Sequence, residues 1–270
     1  MFDTAAVYGD GYSEKILGMT LADVRSSVIY ATKVFANQLK YNQVIESCNR
    51  SLENLGTDYI DLFQIHWPAG SFKSEIVPID ETMTAMNDLK QQGKIRAIGV
   101  SNFSSSQIEE AAQCGTIDSL QPPYSLFWRH VETDAMPYCI KHNITILAYS
   151  PLAQGLLTGK FKINHQFENG DHRSKNRLFQ PGIFQKAQQA LNQLRPIANQ
   201  KKITLGQLAL AWVIAQPNTC AIAGARNEAQ AIQNAGAIPV NLSAEDLKKL
   251  DIIGREVTDY LDDNPVMWNF

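Results

Sequence analysis

A phenol that is to give up a proton at neutral pH needs a neighbouring cation, because its unperturbed pKa is about 10. Tyr8, in the run Phe2-Asp3-Thr4-Ala5-Ala6-Val7-Tyr8-Gly9, is such a phenol, and Lys33 is the best candidate for its cation. Lys33 closes the apolar, β-branched stretch Val28-Ile29-Tyr30-Ala31-Thr32, which reads as a strand. The next strand-like run, Tyr59 to Ile65, is followed by His66. Three successive strand ends thus present Asp3 with Tyr8, then Lys33, then His66. Taken singly, each has a plainer explanation: a solvated turn lysine, a histidine packed beside Trp67, an aspartate that caps or turns. Their recurrence at equivalent positions of consecutive units favours a shared site.

The elements that must position them alternate along the chain. Asn42 to Leu55 has Val44, Ile45, Cys48, Leu52 and Leu55 at helical spacing and stops at Gly56, a residue suited to a left-handed cap. Asp80 to Gln92 repeats the pattern before Gly93. Ser104-x-x-Gln107 and Thr204-x-x-Gln207 are capping boxes opening helices to about Cys114 and Ala215. Ser13 and Ser243 read as caps of further helices, and others fall at about 133–142, 183–200 and up to Ala235. Strands are expected from Ile95 to Val100, ending in Ser101-Asn102, at Ser119-Leu120-Gln121 before two prolines, from Ile144 to Ser150, and from Thr219 to Ala223. Residues from about Lys160 to Pro181 lack periodicity and read as a mobile loop, the best lid candidate.

Strand and helix alternating at about thirty residues per unit predict an α/β fold of the parallel (β/α) barrel kind, with its chemistry on the loops after the strands. A doubly wound sheet would show Gly-x-Gly-x-x-Gly after its first strand, which this chain lacks. An eight-unit barrel takes about 250 residues. Here only about six full strands and the stub Met1-Phe2 can be counted, so the first β/α unit and most of the second strand are expected to be absent from a single barrel domain spanning 1–270. Exposed strand edges would then invite self-association.

Composition excludes several function classes. The 270 residues are 44% hydrophobic, with 24 basic and 27 acidic residues and a net charge of −3. This gives no electrostatic footprint for nucleic acid or an anionic membrane. Cys48, Cys114, Cys139 and Cys220 are widely spaced, without a Cys-x-x-Cys pair, and read as reduced core thiols. No metal-ligand cluster, leader-like start or membrane-length apolar run is present, and a cytoplasmic protein is expected.

The string from Phe2 to Gly9, with Ser13-Glu14, Leu17-Gly18, Ala31-Thr32-Lys33 and Ile65-His66, closely resembles the aldo-keto reductase family. The resemblance implies a (β/α)8 TIM barrel and a catalytic tetrad at Asp3, Tyr8, Lys33 and His66. It implies NADPH as cofactor, with Ser101, Asn102 and Gln121 on the nicotinamide carboxamide and Tyr149, followed by Ser150, stacking on the ring. Gly224, Arg226, Gln230 and Asn234 match the family's segment around the adenosine 2′-phosphate and adenine. Ala223 stands where the family often has Pro, and Gln233 where a Glu is common. A guanidinium at a helix start after the last strand suits a phosphate. The implied activity is NADPH-dependent reduction of an aldehyde or ketone, with Tyr8 protonating the alkoxide, Lys33 lowering the phenol pKa, Asp3 holding Lys33, and His66 in an oxyanion-hole role. The alternative is a weak or inactive NADPH-binding scaffold on the same fold.

Overall fold

Every strand expected from the sequence forms in the computed structural model, which describes residues 1–267. The strands are β1 (Phe2–Asp3), β2 (Tyr30–Val34), β3 (Ile60–Ile65), β4 (Ile95–Ser101), β5 (Ser119–Gln121), β6 (Thr145–Tyr149) and β7 (Thr219–Ile222). Between and after them come α1 (Tyr12–Leu21), α2 (Tyr41–Leu55), α3 (Ile79–Gln91), α4 (Ser105–Cys114), α5 (Ala135–Lys141), α6 (Pro181–Gln200), α7 (Leu205–Ile214), α8 (Glu228–Ala235) and α9 (Ala244–Thr258).

The chain packs as two compact units, the first being Met1–Gln121 with Lys141–Thr145 and the second Pro122–Ile140 with Ile146 onward. In the first, β1 to β5 pair in parallel and in chain order. Their register sets Lys33 beside Gln64, Gln64 beside Gly99, and Gly99 beside Ser119, so these four residues occupy one level. All of β2 is buried, Lys33 included, as expected for a strand of a parallel sheet covered on both faces. In the second unit β6 and β7 pair in parallel from Ile146 opposite Thr219 to Tyr149 opposite Ile222.

Helix boundaries follow the chemistry of their ends. Ser104, Thr204 and Ser243 cap α4, α7 and α9 through their hydroxyls, and Gly56 and Gly93 take left-handed backbone after α2 and α3. Ser13 departs from expectation. Gly11, at φ 81°, is the N-cap of α1, and Ser13 lies inside the helix, where its hydroxyl accepts a 2.8 Å hydrogen bond from Thr4 Oγ1. The segment 160–181 also differs from an irregular loop. It holds 3-10 turns at His172–Lys175 and Arg177–Phe179, and the rings of Phe161, His165, Phe167 and Phe179 meet at centroid distances of 4.7–5.6 Å. Four aromatic rings give it a small core of its own, in the manner of a compact surface loop.

Gly18 lets α1 lie against α2. A Cβ there would stand 2.3 Å from the Leu55 carbonyl oxygen, a backbone atom that cannot rotate away. Gly18→Ala is expected to cost about 1–3 kcal/mol, the range for overpacking, read as a lowered melting temperature. An unchanged melt would show that the two helices slide freely past each other.

Candidate active site

β1, β2 and β3 bring three of the four tetrad candidates to their carboxyl ends, and the turn after β1 carries the fourth. Lys33 Nζ donates to Asp3 Oδ1 at 2.5 Å and to the Thr4 carbonyl at 2.7 Å. It lies 5.5 Å from the centroid of the Tyr8 ring, which meets the His66 ring edge-on at 5.9 Å. Asp3, Tyr8, Lys33 and His66 are therefore one cluster. Phe35 stands edge-on to His66 and stacks on Phe72, which meets Trp67 edge-on. Phe72 sits in left-handed backbone at φ 55°, a conformation that costs a non-glycine residue of order 1–3 kcal/mol and is typical of functional loops.

The carboxamide candidates of this unit join the same cluster. Ser101 Oγ donates to the Gln121 carbonyl at 2.7 Å, and Asn102, at φ 61°, donates from Nδ2 to the His66 carbonyl at 3.1 Å and to Ser101 Oγ at 3.0 Å. Gln121 Nε2 donates to Asp3 Oδ2 at 2.8 Å.

Two residues here have no role assigned from the sequence. Glu14, fully buried on α1, accepts from Thr32 Oγ1 at 2.6 Å and Asn54 Nδ2 at 2.9 Å, tying α1 to β2 next to Lys33. Gln64, fully buried in β3, donates to Asp3 Oδ2 at 3.3 Å. It does carry a signal: it is a polar residue between the apolar Phe63 and Ile65, two positions before His66 and so on the same face.

Electrostatics correct one expectation. The Tyr8 phenol is pushed up to about 12, first by desolvation and then by the negative charge of Asp3, so the net shift is the reverse of the lowering expected from Lys33. The Lys33 ammonium lies 2.5 Å from the Asp3 carboxylate, which offsets much of its field at the phenol. Burial lowers the Lys33 pKa, and Asp3 opposes that shift by charge and hydrogen bond. His66 is held down to about 3 by burial and then by the Lys33 charge. At neutral pH the site thus holds a protonated phenol and a neutral imidazole with one ring N–H.

The remaining candidates lie in the second unit around a cleft of about 570 Å³ lined by Ser150, Gly224, Arg226, Gln230 and Asn234. Tyr149 closes β6 just before it, half-buried. Asn227 caps α8, accepting from the Gln230 backbone N–H at 3.0 Å, while Gln230 Oε1 accepts from the Arg226 backbone N–H at 2.9 Å and Asn234 Nδ2 donates to the Gly224 carbonyl at 3.2 Å. Lys160 and Arg173 line the same cleft and do not stand out in the sequence, because they fall in the segment without periodicity. The Lys160 ammonium is held below its usual range by desolvation and then by the charges of Arg173 and Arg226, with Asp171 opposing. Mutually repelling cations around one cleft are suited to an anionic ligand. Along its rim Ser150 and Gln154 are non-glycine residues in left-handed backbone, strain of the sort stored at ligand-binding turns.

Comparison with known proteins agrees with this chemistry. The family model described as the aldo/keto reductase family matches residues 1–255. The chain is 39% identical to the aldo-keto reductase YhdN of Bacillus subtilis (strain 168), over 94% of this chain and 78% of that one. It is 36% identical to an NADH-specific methylglyoxal reductase of Escherichia coli (strain K12), over 91% of this chain and 80% of that one. Its structure is similar to that of a glycerol dehydrogenase from Gluconobacter oxydans, with a TM-score of 0.88, 34% identity, and 96% and 82% of the two chains covered. An aldo-keto reductase from Klebsiella pneumoniae in complex with NADPH gives a TM-score of 0.76 at 30% identity, covering 99% of this chain and 82% of that one. The seven parallel strands with their helices match the (β/α)8 barrel of these enzymes. With a continuous family match, a shared fold and a clustered Asp, Tyr, Lys and His, the chain belongs to the aldo/keto reductase family.

Proposed function

We propose that this oxidoreductase reduces an aldehyde or ketone to an alcohol with NADPH, and that Tyr8 is the general acid. The observation that carries the reading is the Tyr8 ring set between the buried Lys33–Asp3 pair and His66. When bound, the cofactor supplies a hydride to the carbonyl carbon. His66 donates its ring N–H to the carbonyl oxygen and stabilises the charge that develops there. Tyr8 then gives its proton to that oxygen. A phenol at about 12 is fully protonated at neutral pH, and an alkoxide is a far stronger base than phenolate, so the transfer runs downhill. Lys33 stabilises the phenolate left behind, and Asp3 holds Lys33 in place. Phe35, Trp67 and Phe72 wall the substrate.

The donor set fits the cofactor. Lys160, Arg173 and Arg226 in one cleft complement a dinucleotide's phosphates, with Arg226 assigned to the 2′-phosphate and Gln230 and Asn234 to the adenosine. Ser101, Asn102 and Gln121 are assigned to the nicotinamide carboxamide, and Tyr149 with Ser150 to the ring and its neighbourhood. Since the family match runs without interruption through both compact units, we treat the chain as one working domain. A cytoplasmic setting accords with its four free thiols, and no helix among the described residues is long and apolar enough to cross a membrane.

The test is NADPH consumption with a panel of aldehydes and ketones, run beside a fluorescence titration of NADPH. Turnover of at least one carbonyl is expected. Binding without turnover across the panel would select the scaffold reading instead.

A further inference from the structure

Gln64 is a fully buried amide in β3, and such a group is costly unless its hydrogen bonds are made. Here both ends are engaged. Nε2 donates to Asp3 Oδ2 at 3.3 Å, and Oε1 accepts from Gln121 Nε2 at 3.3 Å. Gln121 Nε2 also donates to that same Asp3 oxygen at 2.8 Å. The two carboxylate oxygens are thus divided, Oδ1 to the Lys33 ammonium and Oδ2 to two amides. The backbone makes room for this arrangement. Gln64 lies opposite Gly99, where an added Cβ would come within 2.8 Å of Gln64 Cγ and 2.4 Å of Ser119 Oγ. The titratable groups around it are Asp3 from β1, Lys33 from β2, and Tyr8 and His66 beyond them.

We infer that Gln64 is a positioning residue of the tetrad: together with Gln121 it fixes the Asp3 carboxylate so that only one oxygen faces Lys33, and so sets how much of the lysine's charge reaches Tyr8. A carboxylate without these amides can turn both oxygens toward the ammonium. Its charge is then shared with no other donor, the lysine is more completely neutralised, and the phenolate formed in the reaction loses stabilisation. The inference rests on Tyr8 being the general acid.

The test uses Gln64→Met, which keeps length without hydrogen bonds, and Gln64→Glu, which can donate only while protonated. For Gln64→Met, kcat for carbonyl reduction should fall about tenfold with KM and NADPH affinity nearly unchanged, the signature of an interaction that matters in the transition state. Gln64→Glu should approach wild-type kcat at low pH and lose it as the added carboxyl ionises against Asp3, a descending limb that the parent enzyme lacks. A merely structural Gln64 would change melting temperature in both variants without the kcat-against-KM split or the new limb, and that result would overturn the inference. A readout independent of turnover is the nuclear magnetic resonance of the Lys33 ammonium, identified by its loss in Lys33→Met. It should move in Gln64→Met, and an unmoved signal would also overturn the inference. Should Tyr8→Phe prove as active as the parent, the general-acid reading fails on its own account, and the ammonium signal still decides whether Gln64 governs the Asp3–Lys33 pair.

Discussion

Tyr8→Phe is expected to lower carbonyl reduction by about a hundredfold or more, the scale of a lost general acid, while NADPH binds as before. The ring of Phe keeps the edge-on contact with His66 and the packing over Lys33, so only the hydroxyl is removed. Near-normal turnover in a folded Tyr8→Phe protein would take the acid role from this residue. On the general-acid reading the same phenol should govern pH dependence. With its pKa pushed up to about 12, the acid form persists through the neutral range, so reduction should show no loss from Tyr8 until strongly alkaline pH. Alcohol oxidation needs the phenolate, and its rate should climb with pH toward that value. His66, held down to about 3, stays neutral and adds no limb between. Lys33→Met removes a cation 5.5 Å from the phenol ring and should carry the alkaline rise further up. An oxidation rate that levels off near pH 7 would contradict this account.

How far the sequence discloses such a site depends on what each signal is made of. Strands and helices are legible because burial on both faces demands continuous apolar runs, as in Ile146 to Ala148, and because caps such as Ser104, Thr204 and Ser243 announce themselves by spacing. The clustering of Asp3, Lys33 and His66 follows from their shared place at strand ends. The sign of the Tyr8 shift does not follow, since it turns first on desolvation and then on the charge of Asp3, neither of which a residue pattern records. Gln64 gives only a partial signal for a related reason. Its role depends on register, opposite Lys33 and Gly99, and register belongs to pairing between strands rather than to one strand. Ser13 misleads because a hydroxyl near a helix start reads as a cap, whereas Gly11 in left-handed backbone takes that place. Lys160 and Arg173 pass unnoticed because a stretch without periodicity gives charges no face to be assigned to, and only the fold gathers them around the cleft with Arg226.

That gathering leads to the second large effect. Arg226 lies immediately before the α8 cap Asn227, exposed, with its backbone N–H held by Gln230, and it lines the cleft. A guanidinium facing a 2′-phosphate makes charge-assisted hydrogen bonds worth about 1.5–3 kcal/mol. NADH offers only hydroxyls at that position. Arg226→Ala should therefore weaken NADPH roughly tenfold to a hundredfold, by the energy just given, and leave NADH nearly unchanged. Lys160 and Arg173 still line the cleft, so binding should persist at reduced affinity and lose some of its salt dependence. Because the side chain is exposed and α8 keeps its Asn227 cap, the substitution should not alter the melting temperature. Equal losses for the two cofactors, measured by fluorescence titration on the folded variant, would mean that Arg226 shapes the start of α8 instead of reading the phosphate, and cofactor preference would then have to be sought at Lys160 and Arg173.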